Sequence, residues 1–125
     1  MIKLFFIIGL GGALGSFLRY YTAVLFLKWN HTAFPYATLT VNIIGCFIIG
    51  LLFSTSERYQ WLSSNWRLFL ITGFCGGFTT FSTFAYENLL LLQEGNYKYF
   101  FLYAIGSFGA GLLAVLAGIN IIKLI

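Results

Sequence analysis

The stretch GFCGGFTTFSTF (residues 73–84) lies inside an apolar segment that runs from Leu68 to Leu92. A segment of that length suits a bilayer crossing, because a spanning helix needs about 20 residues. Its middle concentrates three glycines and four hydroxyl side chains, where a plain membrane anchor carries leucine and isoleucine. We therefore expect a spanning helix that does more than anchor the chain.

The composition of the chain indicates its broad class. Hydrophobic residues make up 60% of its 125 residues, and charged residues make up 8%. A soluble domain of this size leaves much of its area in water and needs more polar surface than this. We therefore predict a single integral membrane domain that covers residues 1–125, and we expect no nucleic-acid partner.

Four apolar segments divide the chain. They cover about residues 4–27, 37–53, 68–92 and 99–122, each near the length of a spanning helix. Lys3 followed by an apolar run also fits a secretory signal peptide, but the run continues past Arg19 to Leu27 and three more spans follow. We predict an all-α, multi-pass protein of the cytoplasmic (cell) membrane, with four transmembrane helices in the lipid bilayer.

Positive charges are nearly balanced between the two sides of such an arrangement. One side has Lys3, Arg58, Arg67 and Lys123, and the other has Lys28 and Lys98, with Arg19 near its end of the first helix. This difference is a weak orientation signal under the positive-inside rule. Chains inserted both ways can pair about a two-fold axis in the membrane plane, as an antiparallel, dual-topology homodimer. The alternative is a single orientation with Arg58 and Arg67 in the cytoplasm.

Self-association is also expected from geometry, because four helices are too few to enclose a wide polar pore. Small residues recur on all four predicted helices and permit close backbone approach. They are Gly11, Gly12, Gly15, Gly45, Gly50, Gly73, Gly77, Gly106, Gly109, Gly111 and Gly118. The alternative use of these glycines is packing within one subunit.

Two ionisable residues, Arg19 and Glu87, lie within apolar spans. Insertion scales put Arg or Asp at a helix centre at roughly 2.5–3.5 kcal/mol, so each residue needs a partner, water or a function. Arg19 is near enough to the loop for its side chain to snorkel; alternatively, it attracts or anchors an anion near a vestibule. Glu87 is less able to reach the surface.

Glu87 shares one helical stripe with hydroxyl groups and aromatic rings. Steps of three, four and seven residues place Thr80, Thr83 and Phe84 on nearly the same bearing as Glu87. Phe81 lies next to Phe84 at a spacing of three. A polar and aromatic face inside a spanning helix indicates a site for a solute.

The chemistry of these side chains suits a small anion. Moving an isolated charge into hydrocarbon costs tens of kcal/mol by Born estimates, so its hydration must be replaced. The replacements are the Asn42 amide, the hydroxyls of Ser82 and Thr83, and the ring edges of Phe81 and Phe84. Asn42 is equally well explained as a hydrogen bond between helices. A cation would instead need the ring faces, or carbonyl oxygens of a broken helix.

Three motifs together resemble the Fluc (CrcB) family of fluoride ion channels. They are the stretch at residues 73–84, TVNIIG (residues 40–45) on the second helix and GGALGSFLR (residues 11–19) on the first. The resemblance covers essentially the whole chain. It implies four-helix subunits whose third helix is broken near its middle. It also implies that these subunits form antiparallel, dual-topology homodimers, with two fluoride pores and a structural sodium ion at the centre of the dimer interface.

The resemblance also implies roles for single residues. Phe81 and Phe84 resemble the phenylalanines whose ring edges line the pores, and Asn42 resembles the pore asparagine. Ser82 and Thr83 resemble the hydroxyl pair near the fluoride path.

Three further positions match this family. Glu87 resembles a carboxylate close to the fluoride path, while Gly76 and Thr79 resemble residues at a helix break whose backbone carbonyls hold sodium. This agrees with the chemistry, because glycine permits an unwound turn and freed carbonyls need a hard cation or another donor. A glycine-rich kink without metal is the alternative.

The fourth helix departs from the family pattern. Tyr103 and Ser107 match the start of a polar track, but the next positions on that face are Gly111 and Val115, where other members can carry hydroxyls. The track is thinner here, so Tyr103 and Ser107 are second-rank candidates for the pathway.

The resemblance favours a channel that passively exports fluoride and protects against its toxicity. The alternatives are a small proton-coupled exporter of hydrophobic cations that uses Glu87, and a membrane scaffold without transport. An enzyme is not expected, because His31 is the sole histidine and has no accompanying catalytic set. Cys46 and Cys75 are expected to be buried thiols.

Overall fold

Four long apolar helices make up the described part of the protein. The computed structural model describes residues 1–59 and 62–125, and these contain four helices long and apolar enough to cross a membrane. They are α1 (Ile2–Trp29), α2 (Tyr36–Arg58), a third span (Ser64–Gln93) and, at the end of the chain, α5 (Tyr97–Leu124). The third span divides into α3 (residues 64–78) and α4 (Phe81–Gln93). Four spanning helices with a broken third are therefore confirmed.

The helices extend beyond the apolar segments of the sequence. In particular, α2 continues to Arg58, well past the expected end at residue 53. The Ser54 hydroxyl donates to the carbonyl oxygen of Ile119 at 3.4 Å, and Arg58 Nη1 donates to that of Ile122 at 2.5 Å. These polar residues hold the end of α2 against α5. Residues 60 and 61, in the expected connection after α2, lie outside the described residues.

The break in the third span falls on two threonines. Thr79 (φ −85°, ψ 160°) and Thr80 (φ −153°, ψ 119°) are extended, whereas Gly76 keeps helical angles (φ −63°, ψ −37°). Thr80 is the N-cap of α4, because its hydroxyl oxygen accepts the Thr83 N–H at 3.2 Å. Hydroxyl side chains stabilise such a helix start by satisfying an otherwise unpaired amide.

The segment before the break is π-helical. Leu68–Cys75 forms eight residues of π-helix inside α3, and such segments frequently accompany functional sites. A π-helix has more residues per turn than an α-helix. Faces assigned by α-helical spacing therefore do not carry across this segment.

Glycines bring α1 and α3 into direct backbone contact. A Cβ on Gly15 would meet the carbonyl oxygen of Phe74, and one on Gly77 would meet that of Gly12. Inside a membrane, helix association depends on such close packing, because lipid tails are as apolar as the side chains. This contact, which we call the glycine seam, joins Gly12 and Gly15 of α1 to Gly77 and its neighbours on α3. It fixes the position of α3 just before the break.

An aromatic cluster joins α4 and α5 near the loop that precedes α2. The Tyr103 ring is fully buried and lies 5.5 Å from the Phe34 ring and 4.9 Å from the Phe84 ring, measured between centroids. Leu91 is buried in the same cluster. The cluster fixes the face of α4 that carries Phe84 and Glu87.

Candidate ion pathway

Two cavities share Thr80, a residue of the helix break. The first, the vestibule cavity, has a volume of about 570 Å³, and its polar lining includes Arg19, Thr38, Thr80, Thr83 and Glu87. The second, the aromatic groove, has a volume of about 510 Å³ and is lined by Asn42, Cys46, Ile49, Thr79, Thr80, Phe81, Phe84, Ala104, Ser107 and Phe108. Thr80 lines both cavities. The polar stripe expected from the sequence is therefore divided, with Glu87 and Thr83 on one cavity and the two phenylalanines on the other.

Arg19 points towards the helix break. One of its guanidinium nitrogens, Nη1, lies 3.5 Å from the carbonyl oxygen of Thr79, a long and weak hydrogen bond. The side chain also lines the vestibule cavity. This placement favours a role at the vestibule over snorkelling to the membrane surface.

Both carboxylate oxygens of Glu87 accept hydrogen bonds from neutral hydroxyls. Thr38 donates to one oxygen and Tyr103 donates to the other, each at 2.7 Å. The carboxylate therefore connects α2, α4 and α5. Hydroxyl donors already occupy both oxygens, which does not suit a carboxylate that must be free to bind an organic cation.

Tyr103 lies in the protein core. It has no exposed surface in this chain, and its hydroxyl is used by Glu87. Ser107, one turn further along α5, lines the aromatic groove, and its buried hydroxyl oxygen has no hydrogen-bond partner within the described residues. The two members of the expected polar track thus have different surroundings.

Asn42 makes two hydrogen bonds to the backbone of one residue. Its amide oxygen accepts the Thr80 N–H at 2.8 Å, and its Nδ2 donates to the Thr80 carbonyl oxygen at 3.1 Å. The side chain also lines the aromatic groove. Both interpretations that the sequence left open, a hydrogen bond between helices and a place at the pathway, have a structural basis.

The rings of Phe81 and Phe84 form one wall of the aromatic groove. Their centroids are 5.9 Å apart and their planes meet at 41°. Phe81 is 79% exposed in the single chain. The edges of aromatic rings carry partial positive charge and so can face an anion.

The hydroxyls after the break form a small network around Thr80. Its Oγ1 lies 3.3 Å from Ser82 Oγ and donates to Thr83 Oγ1 at 3.1 Å. Thr83 also lines the vestibule cavity. Ser82 is exposed in the single chain. The expected hydroxyl pair is therefore organised by a third hydroxyl between the two cavities.

The candidate sodium ligands differ in their availability. Gly76 is exposed, and the Thr80 N–H, which α-helical spacing would direct at the Gly76 carbonyl, donates to Asn42 instead. The Thr79 carbonyl faces Arg19. No group of three or more His, Cys, Asp or Glu side chains occurs among the described residues. The Gly76 carbonyl oxygen is therefore the freer of the two candidate ligands, because the Thr79 oxygen is shared with a guanidinium.

Two polar residues of the site lacked a clear sequence signal. Thr38 precedes Asn42 by one helical turn, and this spacing was the available indication that the two share a face of α2. Asn88 is 7% exposed, and its Nδ2 donates to the Phe84 carbonyl at 2.9 Å. Its amide oxygen has no partner within the described residues. Asn88 directly follows Glu87 in the sequence, and a second polar residue at this point of an apolar span was the signal that could have identified Asn88.

A broken spanning helix, two cavities that share a residue of the break, and an amide with two aromatic rings along one of them are the features of an integral membrane protein that passes a small solute. Residues 6–119 match the family model described as "CrcB-like protein, Camphor Resistance (CrcB)". The chain belongs to the CrcB family, as the resemblance of its motifs predicted.

Individual relatives share nearly the whole chain. A protein of Azobacteroides pseudotrichonymphae genomovar. CFP2 is 46% identical over 118 residues, which cover 94% of each chain. One of Flavobacterium psychrophilum is 48% identical over 122 residues, 98% of each chain. One of Phocaeicola vulgatus is 45% identical over 118 residues, 94% of this chain and 97% of the relative. Each of the three is named "Fluoride-specific ion channel FluC".

Proposed function

We propose that this protein is a fluoride-selective channel of the cell membrane that passively exports fluoride. It lowers the internal fluoride concentration and so protects the cell; it is a channel and not an enzyme. The observation that carries the proposal is the aromatic groove, where the Asn42 amide and the rings of Phe81 and Phe84 line one space. The names of the relatives support fluoride as the ion.

The groove suits conduction because its donors are individually weak. Ring edges and amide hydrogens replace part of the water that a fluoride ion loses. Fast passage requires binding that is favourable enough for entry and weak enough for exit. Hydrofluoric acid that enters from an acidic medium dissociates inside the cell, and a negative-inside potential then drives the anion out without an energy source.

A second copy of the chain completes the pathway in this proposal. Phe81 and Ser82 both belong to the candidate pathway. In the single chain, however, Phe81 is largely exposed and Ser82 is exposed. A single chain therefore supplies one wall of the groove. The balanced distribution of Lys and Arg supports a partner in the opposite orientation, which forms an antiparallel homodimer.

Sodium is proposed as the structural ion of that dimer. Gly76 and Thr79 of each chain would hold it through backbone carbonyl oxygens, the kind of ligand that hard cations prefer. When bound, the ion would supply positive charge between oxygens that otherwise repel one another. Exhaustive removal of sodium should weaken the dimer, as measured by its dissociation in detergent. A dimer of equal stability in sodium-free buffer and in sodium would contradict the assignment.

The function is tested by fluoride efflux from liposomes that contain the purified protein. A potassium gradient with valinomycin sets the membrane potential, and chloride is the parallel test ion. We expect rapid, electrogenic release of fluoride with little movement of chloride. Absence of fluoride release by folded, reconstituted protein would exclude the channel function for this chain.

A further inference from the structure

A third cavity lies at the start of the third span, between the end of α2 and the first turns of α3. Its volume is about 330 Å³. It is lined by Phe53, Ser64, Arg67, Leu68, Ile71 and Thr72. None of these residues lines the vestibule cavity or the aromatic groove. The third cavity, which we call the arginine cavity, is therefore separate from the candidate ion pathway.

The lining of the arginine cavity is polar at one end and apolar at the other. Ser64 and Arg67 lie in the first turn of α3 and are exposed. Leu68 and Ile71 lie deeper along α3 and are partly buried. A guanidinium at such a position can meet a charged headgroup while its apolar neighbours contact the first part of an acyl chain. The lining therefore suits an amphiphile with a negatively charged head.

Trp66 indicates the depth of the cavity in the bilayer. Its side chain is 57% exposed, and its ring lies 5.8 Å from the Phe69 ring, measured between centroids. Tryptophan is enriched at the boundary between lipid headgroups and hydrocarbon. Arg67 directly follows Trp66 and so lies near the depth of the lipid phosphates. The apolar end of the cavity extends from there into the hydrocarbon.

This end of the molecule carries an excess of positive charge. α1 and α3 begin at the same end, because later residues of α1 meet later residues of α3 along the glycine seam. α2 ends there as well, since Phe53 and Ser64 line the same cavity. The cationic side chains at this end are Lys3, Arg58, Arg67 and Lys123. Glu57 is the one acidic side chain at this end, so an anionic partner is favoured.

We propose that the arginine cavity binds one anionic phospholipid, with the lipid phosphate on Arg67 and Ser64 and an acyl chain along Leu68 and Ile71. A guanidinium donates two parallel hydrogen bonds to a phosphate, and the Ser64 hydroxyl donates a further one. The bound lipid holds the start of α3. This inference does not rest on the proposed channel function. In the proposed antiparallel dimer, one such cavity lies in each leaflet of the membrane.

Two variants disturb the polar end of the cavity. Arg67→Gln removes the cation. Ser64→Glu places a carboxylate where it repels a phosphate and can pair with the guanidinium. Both positions are exposed in the single chain, so neither change disturbs a packed core. Lys3→Gln is the matched control, because Lys3 is a cation at the same end but does not line the cavity.

Native mass spectrometry of the purified protein counts the lipids that each assembly retains in detergent. The probes are palmitoyl-oleoyl phosphatidylglycerol, the phosphatidylcholine with the same acyl chains, and inorganic phosphate alone. Titration with each probe, without fluoride, gives a dissociation constant. Thermal unfolding of the same samples gives a second readout, because a ligand that binds the folded state raises the unfolding temperature.

We expect the wild-type protein to bind phosphatidylglycerol at least about tenfold more tightly than phosphatidylcholine. Phosphatidylglycerol should also give the larger rise in unfolding temperature. Arg67→Gln and Ser64→Glu should each reduce the preference to within about twofold, whereas Lys3→Gln should keep it. Inorganic phosphate should not displace the lipid. If one of the two cavity variants does not fold, the other decides alone.

Several results would overturn the proposal. Equal affinity of the wild-type protein for both lipids would show that the headgroup charge is not recognised. An unchanged preference in both cavity variants would place the lipid elsewhere. Equal losses in Lys3→Gln and Arg67→Gln would assign the preference to the charge of the whole end, and displacement by inorganic phosphate would indicate a site for a free anion. Absence of fluoride flux would leave the lipid measurement unaffected, so the two failures are distinguishable.

Discussion

The two phenylalanines of the aromatic groove differ in their other contacts. The Phe84 ring packs 4.9 Å from the Tyr103 ring, whereas Phe81 is 79% exposed in the single chain. A change at Phe84 therefore acts on the core as well as on the groove. A change at Phe81 acts on the groove and on the contact with the second copy of the chain that is proposed to cover the groove.

This difference leads to a prediction for the isoleucine variants. Phe81→Ile and Phe84→Ile should each suppress fluoride flux by more than about tenfold, because an aliphatic side chain lacks the positive ring edge. Phe84→Ile should also lower stability by about 1–3 kcal/mol through the lost packing. Liposome flux and denaturation of the dimer measure the two effects. Phe101→Ile, at an exposed position of α5, is the control; equal flux in all three variants would count against the aromatic pathway.

The Glu87 carboxylate leads to a second prediction. Tyr103→Phe removes one of its two hydroxyl donors while keeping the ring in the core. Hydrogen bonds between membrane helices average about 0.6 kcal/mol, and we expect a loss of about 0.5–1.5 kcal/mol.

The matched control for this change is Tyr99→Phe, in the same aromatic cluster. Chemical denaturation in detergent compares the two variants with wild type. A loss of stability specific to Tyr103→Phe is expected, and equal stability of both variants would show that the bond to Glu87 contributes nothing.

Single residues of the site could be predicted from the sequence better than their partners. Asn42 and Glu87 stand out because polar groups are costly in apolar spans. The donors to Glu87, Thr38 and Tyr103, depend on how α2 and α5 are rotated. Helices that are apolar on nearly every side carry little pattern that indicates this rotation.

At the level of elements, the contact between α1 and α3 depends on glycines, which have no side chain to separate the two backbones. Gly15→Ala should destabilise the protein by at least about 1–3 kcal/mol, because its Cβ would overlap main-chain atoms that cannot rotate away. Gly9→Ala on the same helix meets nothing within 4 Å and should be nearly neutral. Thermal unfolding in detergent compares the two, and similar unfolding temperatures would refute the close packing of the seam.

The third span shows what sequence patterns can and cannot predict about an element. Its length follows from the apolar run, and its break was implied by the resemblance of residues 73–84 to the CrcB family. The break lies at Thr79 and Thr80, and Gly73 and Gly77 before it serve the contact with α1. The π-helical turns of Leu68–Cys75 have no signal in an ordinary apolar composition, because tertiary packing decides them.

At the level of the whole molecule, the orientation of the chain is the central prediction. A single cysteine placed at Lys3, in a Cys46→Ala and Cys75→Ala background, should react with a membrane-impermeant maleimide from both sides of the membrane in roughly equal shares. The nearly balanced positive charges give no strong preference for one orientation. Labelling in intact and opened vesicles measures the shares; labelling from one side alone would contradict dual topology.

The glycine seam also has a consequence for heredity. Every amino acid other than glycine has a Cβ carbon, so every missense change in a glycine codon adds at least that carbon. At Gly15 and Gly77 that carbon would meet a carbonyl oxygen of the facing helix, whereas at Gly106 and Gly109 it would meet nothing within 4 Å. Missense changes should therefore be selected against at the first pair of codons and tolerated within the chain at the second, although all four codons encode the same amino acid.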